Sequence, residues 1–358
     1  MSATAPQSIN EAKLHEFMMK AIGEMGAAMN TALILIGDKV GLYKAMAGSA
    51  PMTSAELAAK TNTTERYVRE WLAAQAAGGF LTYDASTGRY TLPPEQAMAL
   101  ADENSPVFLP GYFQIVEASL KSVPKITDAF RSGNGVGWHE HDPGLFPGTE
   151  RFFRPNYRAH LIKEWIPALG DTEAKLKAGG RVADIGCGLG TSTILMAQAY
   201  PKSNFAGFDY HPRSIELARE AAAKAGVSDR VQFEVASAKE YPGKDYDFVA
   251  FFDCLHDMGD PEGAARHVRE TLKPNGTWMI VEPFAHDKLE DNLNPIGRVF
   301  YAASTMLCTP ASLSQEVGLG LGAQAGEGRL SRILQAAGFT RVRRAAETPF
   351  NIVLEARP

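Results

Sequence analysis

The chain has 358 residues, 45% hydrophobic and 22% charged, with 33 glycines and 21 prolines. That is the composition of an ordinary globular protein, neither fibrous nor disordered, and the length suits one large domain plus a smaller one. A formal net charge of −5 repels a polyanion and so disfavours nucleic acid as a partner. Cys187, Cys254 and Cys308 are scattered without the pair spacing of a disulfide framework or zinc finger, which points to a reducing cytoplasm. No apolar run approaches the roughly 20 residues of a membrane helix, and Met1 to Asn10 lacks the basic start and apolar stretch of a signal peptide, so no membrane association is expected.

In chain order, Glu11 to Met46 is rich in Ala, Met, Leu and Ile with polar residues interspersed, which suits one or two helices packed against another surface. Thr53-Ser54-Ala55-Glu56 reads as a capping box for a helix to Lys60, and Asn62-Thr63-Thr64-Glu65 as another for a helix through Ala77. Gly78-Gly79 stops the second helix. Phe80 to Tyr83 and Tyr90 to Leu92 then flank Ser86-Thr87-Gly88 as two strands around a turn, completing a winged helix. After helical patterns over 95–102 and 107–121, the Gly/Pro/His stretch from Gly133 to Gly148 reads as a linker, and Phe152 to Leu169 as an amphipathic helix kinked near Pro167.

Beyond Gly180, apolar strand candidates alternate with helical stretches: Val182 to Ile185, Phe205 to Phe208, Val231 to Val235, Phe248 to Phe252 and Thr277 to Val281, closed by Thr340 to Arg344 and Asn351 to Glu355. This is the βαβ rhythm of a doubly wound α/β sheet. The expected organisation is a helical winged-helix domain over 1–149 and a sheet domain over 150–358.

In Val182-Ala183-Asp184-Ile185-Gly186-Cys187-Gly188-Leu189-Gly190, a strand runs straight into three glycines and then a helix, a turn that lets a ligand approach the backbone. A dinucleotide site wants G-x-G-x-x-G, but here the third glycine comes one residue early. Asp184, just before the turn, would repel a pyrophosphate and welcome a cationic amino-acid end. Asp209 ends the second strand about 20 residues after Gly190, where an acidic side chain accepts both ribose hydroxyls of a nucleoside; the alternative is a cap on the helix from Pro212.

These segments, with Phe251-Phe252-Asp253-Cys254-Leu255-His256-Asp257 after the fourth strand and Arg151-Phe152-Phe153-Arg154-Pro155-Asn156-Tyr157 before the sheet, resemble class I S-adenosylmethionine-dependent methyltransferases. In detail they resemble the bacterial members with an N-terminal winged helix. The resemblance implies a Rossmann-like sheet of order 3-2-1-4-5-7-6 with its last strand antiparallel, S-adenosylmethionine as cofactor, a small-molecule acceptor, and a homodimer whose N-terminal domain pairs subunits and covers the substrate. It places Asp184, Gly186, Cys187, Gly188 and Gly190 at the methionine part and Asp209 with Tyr210 at the ribose. The acidic residue that many members carry after the third strand is replaced here by Ala236-Ser237-Ala238, so Ser237 and Ala238 are the adenine candidates.

At the end of the fourth strand, His256 is the candidate general base, since an imidazole with an ordinary pKa of roughly 6.5 suits proton removal near neutrality; the alternative is a packed histidine bonded to backbone. Glu282, ending the fifth strand, would orient His256 or a substrate donor, and Asp253 would touch cofactor or substrate. The scattered His139 and His141 lack a companion ligand set, so no metal is expected. Trp138, Phe146, Phe152 and Tyr157, with Phe300, Tyr301 and Met306, are candidates to enclose an aromatic or apolar acceptor. The competing reading, a winged-helix transcriptional regulator, needs a basic recognition helix, but Thr64 to Ala77 balances Arg66 and Arg69 with Glu65 and Glu70.

Overall fold

The computed structural model describes residues 9–358, so what was expected of Met1 to Ser8 lies outside the described residues. The chain divides into two compact units at Glu117/Ala118, earlier than the boundary expected at 150. The reason is that residues 118–149 pack with the sheet: Val136 N–H donates to Pro310 O, Trp138 Nε1 donates to Asp257, and Phe146 stacks on His211. The stretch read as a linker is a structured strap.

The first unit opens with a 29-residue helix, Glu11–Lys39, capped by the Asn10 side chain. By length and composition this helix could cross a membrane, with a mean hydropathy of 1.2 over its most apolar window, so the expectation that no such segment exists is corrected. Polar residues interspersed along it interrupt the continuous apolar run by which such a span is read from sequence. Only its end is buried: Ile34, Leu35 and Gly37 face the unit's core, while Phe17, Ile22, Met25 and Met29 are exposed. That core gathers Tyr43, Met46, Leu57, Val68, Trp71 and Leu72, with Gln75 tying Tyr43 and Asn30 together by hydrogen bonds.

Thr53 and Glu56 form the expected capping box of the helix Ser54–Thr61. The second expected box does not form. Asn62 adopts a left-handed conformation (φ 52°) that ends the first helix, Thr64 caps Glu65–Ala77 without a side-chain bond, and Glu65 is instead engaged by Ser54 and Arg69. Thr82–Asp84 and Arg89–Thr91 pair antiparallel as the wing.

The second unit is built on seven strands, numbered here within their sheet: β1 Arg181–Ile185, β2 Asn204–Asp209, β3 Val231–Val235, β4 Tyr246–Phe252, β5 Leu272–Pro283, β6 Arg341–Glu347 and β7 Asn351–Arg357. Their order is 3-2-1-4-5-7-6, parallel except that β7 runs antiparallel to both neighbours. Both faces are covered, so the central strands are apolar throughout rather than alternating. The strand period of two still sorts the residues: Val182, Phe248, Ala250 and Met279 join one core with Leu161 and Trp165, while Ala183, Val249, Phe251 and Ile280 join another with Leu330 and Leu334.

The helix before the sheet starts at Leu145 rather than Phe152 and runs to His160, and its irregularity is a π turn at Leu161–Trp165, not a kink at Pro167. A second π turn, Ser304–Cys308, lies in the insertion between β5 and β6.

The parallel strands send their carboxyl ends to one edge, and Gly190 there combines close packing with a left-handed backbone: a Cβ would lie 2.6 Å from Phe233 at a φ of 81°. Gly190→Ala should therefore lower stability by about 2–4 kcal/mol through overpacking plus left-handed strain. Gly188→Ala, at φ 52° with nothing within 4 Å, should cost only about 1 kcal/mol. Urea unfolding of the two variants checks the ordering; equal losses would contradict it.

Candidate functional site

The carboxyl ends of β1, β2 and β4, the strap and the insertion enclose a cavity of about 490 Å³. After β1 the chain turns through Gly186, Cys187, Gly188 and Leu189, all on the cavity wall, before entering the helix Thr191–Ala199. Gly186 and Gly188 take positive φ values of 70° and 52°, open to glycine without strain. Gly190 does not line the cavity; it lets the helix approach Phe233 and Ala218 closely.

Asp184 is also placed otherwise than expected. It is fully buried, off the cavity wall, and accepts hydrogen bonds from Ser192 Oγ at 2.7 Å and Thr193 Oγ1 at 2.6 Å. Its role is to fasten the start of the helix to the end of β1. Burial raises its pKa to about 6, against the pull of the two hydroxyls.

Asp209 lines the cavity at the end of β2. Its two oxygens accept from the backbone N–H groups of Gly188 and His211, both at 2.9 Å, so it sets the shape of the glycine turn. It does not cap the following helix, because His211 does that through Ser214. Burial raises its pKa, opposed by the two backbone bonds. Tyr210, Ser237 and Ala238 also lie on the wall, as do Cys187 and Asp253.

Asp253 directly follows β4 with φ 50°, an uncommon conformation for a residue other than glycine. Tyr157 donates its hydroxyl to Oδ2 and Asn351 its amide to Oδ1, each at 2.8 Å, joining the amphipathic helix, β4 and β7 at one carboxylate. Burial and then the Glu282 charge raise its pKa to about 7.

Immediately beyond, the short turn Leu255–Asp257 carries the candidate base. Glu282 at the end of β5 holds it: Oε1 accepts from Leu255 N at 2.9 Å and Oε2 meets His256 Nδ1 at 2.5 Å. His256 Nε2 lies 3.1 Å from Asp257 Oδ1. Burial alone would lower the imidazole pKa, but the Glu282 and Asp257 charges raise it and prevail, holding it well above its ordinary value. The structure thus brings His256 and Glu282 together as expected, yet neither lines the cavity. Asp257 does, a residue that sequence reasoning named only as the partner of His256 in a His-Asp pair, without a role of its own. Its Oδ2 accepts from Trp138 Nε1 at 2.9 Å, and nothing in the spacing of residues 138 and 257 announces that bond.

Of the candidates to enclose an acceptor, Trp138, Phe146 and Tyr157 line the cavity, and Phe152, Phe300, Tyr301 and Met306 do not, while Phe153 and Phe252 do. His139 is on the wall; His141 is buried against Ser122. Among the described residues, His256, Asp257 and Cys308 bring donor atoms within 4.8 Å of one another, a mixed set able to hold a metal ion that the distribution along the chain conceals.

Comparison with known proteins bears on this site. Residues 176–338 match the model of a methyltransferase domain and residues 28–102 that of an Rv2258c-like winged HTH domain. The 27-O-demethylrifamycin SV methyltransferase of Amycolatopsis mediterranei is 40% identical over 107 residues, 29% of this chain and 39% of that protein. The alignments span between 22% and 53% of the length of the curated relatives matched. A solved O-methyltransferase-like structure from Nostoc punctiforme superposes with a TM-score of 0.71 at 21% identity, covering 98% of this chain and 99% of that one. The mitomycin 7-O-methyltransferase MmcR gives 0.69 at 19%, covering 98% and 100%. At these identities the two structures establish the fold. The chain carries a methyltransferase domain behind an N-terminal winged-helix domain.

The titration of Asp253 is open to test. A carboxyl that titrates near 7 when folded and near 3.9 when unfolded binds more protons in the folded state between those values, so its contribution to stability falls as pH rises from about 4 to about 7. Asp253→Asn removes that dependence. Thermal melts across this range should show the variant gaining about 3 kcal/mol relative to the parent protein between the two ends. A constant difference would contradict the raised pKa.

Proposed function

We propose that this protein transfers a methyl group from S-adenosylmethionine to a small-molecule acceptor, with a hydroxyl of an aromatic or apolar compound as the favoured nucleophile. The observation that carries the reading is the glycine turn at the end of β1 facing Asp209 at the end of β2, both on one cavity. A sulfonium cofactor with an amino-acid end fits a wall bearing Asp209, Asp253 and Asp257 better than a pyrophosphate does. Ligands of open α/β sheets bind at the carboxyl ends of strands, which is where this cavity lies.

In this reading Asp209 accepts the ribose hydroxyls, exchanging its present backbone partners in part, and Gly186 to Leu189 face the methionine part. Asp184 acts behind the wall by fixing the helix. Ser237 and Ala238 lie on the side assigned to adenine. Methyl transfer is an in-line displacement, so holding the nucleophile against the methyl is the chief requirement. The proton of a hydroxyl acceptor passes to the Asp257 carboxylate, and His256, held behind it by Glu282, positions that carboxylate and balances its charge. Asp253 organises the wall through Tyr157 and Asn351.

Isothermal titration tests the cofactor. S-adenosylhomocysteine should bind and NAD should not, and Asp209→Ala should weaken binding by about 1.5–3 kcal/mol, the range for hydrogen bonds to a charged group. Micromolar NAD binding with no response to S-adenosylhomocysteine would sink the reading.

The N-terminal unit in this reading pairs subunits in a cytoplasmic homodimer and does not read DNA. Both arginines of the helix Glu65–Ala77 are paired with glutamates of the same helix, and the helix Glu11–Lys39 presents Phe17, Ile22, Met25 and Met29 as apolar surface. Sedimentation at micromolar concentration should give a dimer, and Ile22→Asp should shift it towards monomer. A monomeric parent protein, or a sequence-selective gel shift, would overturn this assignment.

A further inference from the structure

Three side chains able to bind a metal ion meet at the turn after β4. His256, Asp257 and Cys308 each offer a ligand atom, these atoms all lie within 4.8 Å of one another, and all three residues are buried. Two come from the short turn Leu255–Asp257 and the third closes the π turn Ser304–Cys308, so the insertion brings a thiol to the strand ends. His256 Nε2 stands 3.1 Å from Asp257 Oδ1, and the Cys308 thiol is in hydrogen-bonding contact with both side chains.

These separations suit a shared ion. Donors about 2.0–2.3 Å from a tetrahedral zinc lie about 3.3–3.6 Å from one another, so the imidazole and carboxylate are already near that spacing and the thiol has to move by no more than about 1 Å. The supporting contacts are those of a metal centre as well. Glu282 Oε2 meets His256 Nδ1 at 2.5 Å, the carboxylate contact that typically orients a metal-bound imidazole, and leaves Nε2 to the cluster. Trp138 Nε1 holds Asp257 Oδ2 at 2.9 Å and leaves Oδ1 to the cluster. The turn is also tied to the insertion through its backbone, since Gln315 Nε2 donates to Asp257 O and Gly322 N–H to His256 O.

An entering dication displaces the proton on Nε2 and the proton of the thiol to solvent. The formal charge of the buried cluster is then unchanged, so no uncompensated charge is left in the interior. Imidazole, thiolate and a single carboxylate together favour zinc over magnesium and calcium, which take oxygen ligands.

We propose that His256 Nε2, Asp257 Oδ1 and Cys308 Sγ form a zinc(II) site whose fourth position is taken by water. The ion and an acceptor's proton claim the same carboxylate, so the zinc-loaded protein is a separate state and not a step of methyl transfer. The site stands on its own geometry, and its test needs neither cofactor nor acceptor.

The untagged full chain, stripped with a chelator and kept reduced, is titrated with cobalt(II) and then with zinc. One equivalent of cobalt should produce the near-ultraviolet thiolate-to-metal absorption and the strong visible bands of four-coordinate cobalt. Zinc should abolish both, and a large excess of magnesium should not. Trp138→Phe, which frees Asp257 Oδ2, should keep the absorption and weaken zinc about 10-fold, the usual weight of a hydrogen bond that supports a ligand. Cys308→Ser should remove the thiolate absorption and weaken zinc by more than that, while Cys187→Ser should leave both unchanged. His256→Gln should also lose zinc affinity and covers the case in which Cys308→Ser fails to fold. Cobalt bound without thiolate absorption, no binding of either ion, equal competition by magnesium, or zinc affinity unaltered in both Cys308→Ser and His256→Gln would overturn the proposal.

Discussion

A buried imidazole between two carboxylates is the constraint on which the working edge of this protein depends. In a medium of low dielectric an isolated ion is costly, and the carboxylates of Glu282 and Asp257 at the two ring nitrogens of His256 hold it well above its ordinary pKa. Glu282 also takes the backbone N–H of Leu255, which stitches the end of β5 to the turn after β4. That turn presents Asp257 to the cavity and leaves His256 behind it. One carboxylate further back, Asp253 gathers Tyr157 and Asn351, so three strand ends and the preceding helix meet through two acidic side chains. The cavity wall there is tied together by hydrogen bonds and ion pairs between strand ends as well as by apolar packing.

Much of this was legible in the chain. The spacing of glycines after an apolar strand and the acidic residue ending the next one are local signals, and the structure puts both on the cavity. Asp184 was misplaced because a carboxylate before a glycine turn can face forward to a ligand or back to the next helix. The two hydroxyls Ser192 and Thr193 in that helix's first turn are the signal for the second outcome. His256 was found by its motif, but a one-residue difference on a tight turn decides which of His256 and Asp257 faces the cavity, and periodicity has no resolution at that scale. The bond between Trp138 and Asp257 joins residues 119 positions apart and could not be read from local pattern.

The division of the chain was misread for a related reason. A run of Gly, Pro and His from Gly133 to Gly148 looks like a linker because such residues break regular elements. Here the glycines serve close approach: a Cβ on Gly135 would fall 1.9 Å from Ser314 N, so the strap lies directly on the insertion that follows β5. Composition identified the absence of regular structure correctly and could not show that an irregular segment is packed. The long first helix illustrates the converse, since its apolar residues were legible while their exposure was not.

The placement of the four tryptophans has a practical consequence. Trp71, Trp165 and Trp278 are sealed in hydrophobic cores, at most 4% exposed, where their surroundings are fixed by packing. Trp138 alone stands on the cavity wall, its indole N–H bound to a carboxylate. The fluorescence of three of them is a constant background, and the fourth is a built-in optical probe. A ligand that displaces water from its ring or competes for Asp257 changes its emission without any label.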